Sequence, residues 1–123
     1  MFPDKAVIYI TKDMLEALQQ DDEIALFDLY RELGHIECGH FDVPEDASEM
    51  TQEESLEMMD RQDLEADAFA AEFVGKDTAL KVLKELLKAR AKADRDLHLN
   101  GTPASVQRIR KYRARISALE ALQ

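Results

Sequence analysis

The chain has 123 residues, 26 of them acidic and 16 basic, for a formal net charge of −10. That length allows a single domain, 1–123, with one apolar core, and excludes most multi-domain arrangements. The acidic balance argues against general nucleic-acid binding. The charge is unevenly placed: residues 1–75 hold 21 acidic and 4 basic side chains, residues 76–123 hold 5 acidic and 12 basic. Such a split suits a charged surface that faces a partner, or two halves that face each other.

Cys38 is the only cysteine, so no intrachain disulfide forms, which fits a reducing cytoplasm. The first ten residues lack the basic region and long apolar run of a signal peptide. No uninterrupted apolar stretch approaches the ~20 residues of a transmembrane helix, so no membrane role is expected. There is no internal repeat and no low-complexity tract.

In chain order, Ala6-Val7-Ile8-Tyr9-Ile10 is a β-branched and aromatic run that predicts a strand. Thr11 or Asp13 is suited to cap a short helix over 14–19. Asp21-Asp22 opens a longer helix, whose apolar residues Ile24, Leu26, Phe27, Leu29, Tyr30, Leu33 and Ile36 cover much of its circumference; Gly39 ends it. Residues 42–55 are polar and acidic and read as an exposed loop. Thr51 with Glu54 matches a capping box, which predicts a helix from there to Gly75. Asp77 is expected to cap the next helix, with Leu80, Leu83, Leu87 and Ala91 on one side. Thr102-Pro103 starts the last one, along Val106, Ile109, Tyr112, Ile116 and Leu119. The expected fold is α+β but predominantly helical: about five helices with a small N-terminal β element.

The central helix contains Arg31-Glu32-Leu33-Gly34-His35-Ile36-Glu37-Cys38-Gly39-His40. Zinc peptidases place H-E-x-x-H on a helix because histidines at i and i+4 share one face and grip one ion. The glutamate between them acts as general base toward the metal-bound water. Here Glu32 and His35 hold their places, but Arg31 stands at the first position. Arginine is permanently charged and has no lone pair to donate to a metal.

These residues resemble the gluzincin metallopeptidases of the HtpX-like and CAAX-prenyl-protease-like kind and their single-domain relatives, the minigluzincins. The resemblance spans nearly the whole chain. It rests on Val7 to Leu18, on Glu32 to Ile36 with Gly39-His40, on Asp63-Leu64-Glu65-Ala66-Asp67-Ala68-Phe69-Ala70-Ala71-Glu72, and on Thr102-Pro103 with the helix after it. It implies a zincin-like fold and zinc as cofactor. It also implies Glu32 as catalytic base, His35 and Asp63 as metal ligands, and Asp67 as a supporting carboxylate. The family's third-ligand glutamate is replaced by the shorter Asp63, and its first histidine by Arg31.

One imidazole and one carboxylate rarely hold zinc, so metal binding is expected to be absent or weak. Arg31 is expected to take the metal's place, paired with Asp63, Asp67 or both, with Arg31→Ala destabilising by ~3–5 kcal/mol through unpaired carboxylates. The resulting reading is a metallopeptidase-like domain that is inactive and works as a binding or regulatory module for a peptide or protein. Two others stay open: an active zinc peptidase with an altered ligand set drawn from His35, Asp63, His40 and Cys38, and a helical interaction protein with a relic motif. An exposed strand edge would admit a homodimer.

The remaining candidates have plainer readings. His35 also suits a core histidine bonded to a carbonyl or to Asp63. Cys38 reads as a small buried residue, and His40 as a residue that caps the helix or packs on the acidic loop. Arg108, Arg110, Lys111, Arg113 and Arg115 read as the solvated face of an amphipathic helix. The two basic helices are nonetheless expected to set Arg and Lys near the acidic segment 42–67.

Overall fold

A computed structural model describes residues 7–40 and 47–122. Five helices follow one another: α1 (Lys12–Gln19), α2 (Glu23–Glu37), α3 (Gln52–Val74), α4 (Lys76–Asp96) and α5 (Pro103–Ala121), with a short 3-10 turn at Ala47–Glu49 before α3. The described residues contain no strand, so the fold is all-helical, and the expected N-terminal β element is a misreading. Ala6 lies outside the described residues. Val7 to Ile10 run irregularly, with Tyr9 91% exposed. A β-branched run has strand character only when a neighbour takes up its backbone hydrogen bonds, and no described segment offers that edge. The argument for dimer formation through a strand edge falls with it.

Local chemistry sets the helix boundaries. Thr11 Oγ1 accepts from Met14 N and starts α1. Asp22 accepts from Ala25 N and starts α2, while Asp21, at φ 57°, closes α1 just before it. The Thr51–Glu54 capping box starts α3 as expected. Between α3 and α4 the chain turns at Gly75 (φ 92°), so Lys76 is already helical and Asp77 sits in the first turn rather than at the cap. Thr102, followed by Pro103, starts α5. Of the expected acidic loop 42–55, residues 42–46 fall outside the described residues, 47–49 form the 3-10 turn and 52–55 already belong to α3.

The core is formed by Phe27 of α2, Ala70 and Ala71 of α3, Ala79, Val82 and Leu83 of α4, and Ile116 and Leu119 of α5. Its α3 contribution is small side chains, and α2 lies close along that face. Gly34 is the point of nearest approach: a Cβ there would meet Phe69 Cβ at 2.9 Å. Arg31 lies about one turn before Gly34 and His35 directly follows it, and the close contact of α2 with α3 brings both near Asp63, and Arg31 also to Asp67. No described helix is long and apolar enough to cross a membrane.

Candidate functional site

Five charged groups from three helices meet where α2, α3 and α5 converge. Asp67, on the buried stripe of α3 with Ala66 and Ala70, is 1% exposed. A carboxylate so far from water needs compensating donors. Arg115 of α5 supplies a fork, Nε to Oδ2 at 2.7 Å and Nη2 to Oδ1 at 2.8 Å. Arg31 Nε donates a third bond to Oδ1 at 2.9 Å. One turn earlier, Asp63 Oδ1 accepts from Arg31 Nη2 at 2.6 Å, and its Oδ2 lies 2.8 Å from Lys111 Nζ. Burial opposes ionisation of Asp63, but Lys111 and Arg31 outweigh it and hold the carboxyl below the usual carboxylate range. Burial likewise works against the Arg115 charge, and Asp67 more than restores it.

Arg31 thus bridges both aspartates, but it is not their sole partner. Arg115 and Lys111 would remain if Arg31 were removed, so the expectation of unpaired carboxylates in Arg31→Ala does not stand. The reading of the basic run of α5 as a solvated face is corrected at two positions. Arg115 points inward to Asp67 and Arg108 donates to the buried Asp94 at 3.0 Å, whereas Lys111 stays exposed while its Nζ reaches Asp63. The signal was present: Arg108, Tyr112, Arg115 and Leu119 fall on one helical stripe, and Leu119 is 1% exposed.

A second group continues from this network. His35 Nε2 is 4.0 Å from Asp63 Oδ1, and its Nδ1 is 2.8 Å from His40 Nδ1. His40 Nε2 in turn lies 3.1 Å from Glu65 Oε2. The geometry comes from the end of α2. His40 N donates to His35 O and Gly39 N to Ile36 O, with Gly39 at φ 71°, which is a Schellman closure. It folds His40 back against His35, and the loop residues 42–46 on which His40 was expected to pack lie outside the described residues. Cys38, expected to be buried, is exposed, because this closure turns the C-cap outward. Its thiol pKa is raised by partial burial, then by Glu65 and Glu37. Sulfur, imidazole and carboxylate donors of Cys38, His40 and Glu65 lie within 4.8 Å of one another. The pKa of His35 is lowered by burial first, then by the Arg31 charge and His40, and Glu32 and Asp63 offset this only in part. At neutral pH the ring is uncharged.

The residues at the motif position do not fit zinc. Of the two ligands implied by resemblance, His35 Nε2 and Asp63 Oδ1 are 4.0 Å apart, and that oxygen already accepts from Arg31 at 2.6 Å. A divalent cation there would face a fixed guanidinium, and no third protein ligand joins these two among the described residues. No family model matches the chain, and neither a curated protein nor a solved structure matches it.

Proposed function

We propose that the chain is a metallopeptidase-like helical domain that catalyses no hydrolysis and acts as a binding or regulatory module for a peptide or protein. The observation that carries this reading is the Arg31 guanidinium, held at 2.6 and 2.9 Å between the two carboxylates of the motif helices. In a peptidase with this motif the metal activates a water, and the glutamate takes its proton. Glu32 keeps the base position, but the donor set beside it has lost the lone pair that Arg31 replaces. The positive charge that a metal would bring to Asp63 and Asp67 is supplied by Arg31, Lys111 and Arg115 instead. The helices stay clamped and the hydrolytic centre is gone. A single cysteine suits a cytoplasmic setting for such a module.

The test is a gain of metal. The parent protein should cleave neither casein nor a peptide library. Arg31→His combined with Asp63→Glu should bind one more equivalent of zinc than the parent. Zinc-dependent cleavage by the parent would overturn the inactive reading in favour of a peptidase with altered ligands. A double variant that folds but gains no zinc would remove the metallopeptidase likeness, leaving a plain helical interaction protein.

A further inference from the structure

We propose that Cys38, His40 and Glu65 bind a zinc ion at the C-terminal end of α2, at a site separate from the Arg31 position and independent of the reading above. Three donor types that zinc favours converge there from two elements: the thiol and imidazole from the α2 closure, the carboxylate from α3. In a tetrahedral site with metal–ligand lengths of about 2.0–2.3 Å, neighbouring donors lie about 3.3–3.6 Å apart. His40 Nε2 and Glu65 Oε2 are already 3.1 Å apart, and the whole set lies within 4.8 Å. Rotation of the exposed Cys38 side chain closes the remaining gap. The other oxygen of Glu65 faces Arg61 Nε at 3.8 Å, which leaves Oε2 for the ion.

The surroundings also set the histidine for the task. An imidazole that gives Nε2 to a metal carries its proton on Nδ1. His40 Nδ1 stands 2.8 Å from His35 Nδ1, an acceptor in the matching tautomer. Zinc-bound histidines commonly donate their second N–H to such an outer partner, which fixes the ring. His35 is therefore a positioning residue, not a ligand. The His40 side chain is 6% exposed, so its ring is already held, while Cys38 and Glu65 are exposed and a water would complete the four-coordinate set. The bound ion would join the end of α2 to the middle of α3, beside the Asp63 network.

The experiment uses the full chain, stripped with chelator and titrated with Co²⁺ and then Zn²⁺. One equivalent of Co²⁺ should give a sulfur-to-metal charge-transfer band that Zn²⁺ abolishes, and zinc should raise the melting temperature. Cys38→Ser should lose the band. His40→Ala and Glu65→Gln should weaken binding at least ~10-fold, and His35→Ala by ~10–100-fold with the band retained. Glu57→Gln, exposed on α3, should change nothing. Absence of the band, or binding that survives Cys38→Ser with His40→Ala, overturns the proposal. In the Arg31→His, Asp63→Glu variant the added equivalent should carry no sulfur band, so the two sites fail or succeed separately.

Discussion

Asp67 and Asp94 are each 1% exposed, and the chain holds them in different ways. Asp94 accepts from Ser105 Oγ at 2.7 Å and Arg108 Nη2 at 3.0 Å, with Arg90 Nε at 3.5 Å. Its partners come from α4 itself and from the next helix, so the cluster fastens one hairpin. Asp67 draws Arg31 from 36 residues before it and Arg115 from 48 residues after it. It fastens three helices, of which α5 is separated from the other two by α4. Helix α5 serves both clusters, with Arg108 and Arg115 two turns apart on one stripe. A buried carboxylate clamped by arginine is therefore a general structural device in this molecule. The Asp67 cluster differs in reach, and in sharing Arg31 with a second carboxylate, Asp63.

That difference sets the order of expected effects. Asp67→Ala strands the buried Arg115 guanidinium, leaves Arg31 with Asp63 alone, and should cost ~3–5 kcal/mol in urea unfolding. A loss under about 1 kcal/mol would mean that the long-range clamp is dispensable. Arg31→Ala should cost less, about 2 kcal/mol, because Arg115 and Lys111 keep both aspartates paired. A loss as large as that of Asp67→Ala would make Arg31 the principal partner. Ser105→Ala removes a single bond from the hairpin cluster and should lower the midpoint less than Arg31→Ala does.

A pH series probes the same comparison with smaller effects. The His35 pKa is lowered in the fold, so the unfolded chain takes up its proton first as pH falls. The associated stability is complete above about 6.5 and declines below it. His35→Gln should flatten the change in urea midpoint between pH 7 and 5. The pKa of Asp63 is also lowered, so its contribution is present above the unfolded value of about 3.9 and disappears as pH falls through the folded value. In Lys111→Ala that acid-side loss should be smaller and complete at a higher pH, because the folded value moves up toward the unfolded one.

What could be read along the chain was what depends on near neighbours. Thr51 with Glu54, Thr102 with Pro103, and Asp22 each act within three residues, and each marks a helix start in the structure. The pairing of Arg31 with Asp63 and Asp67 was also legible in part, since the two carboxylates lie one turn apart on the same side of α3 and can face one guanidinium. The segment Val7 to Ile10 was misread because a strand needs hydrogen-bond partners from elsewhere in the fold, which residue preference cannot supply.

Length, caps, apolar spacing and the split of charge between the halves determined by themselves that this protein is built of amphipathic helices with acidic and basic faces. Tertiary structure alone decided which charges meet. It made Arg115 and Lys111 partners of Asp67 and Asp63, and folded His40 between His35 and Glu65. It also left Cys38 exposed beside them. Caps and the His35–His40 closure are fixed by contacts within a few residues, whereas Arg115 with Asp67, Lys111 with Asp63 and His40 with Glu65 are 25 to 48 residues apart, and only the packing of α2, α3 and α5 brings them within bonding distance.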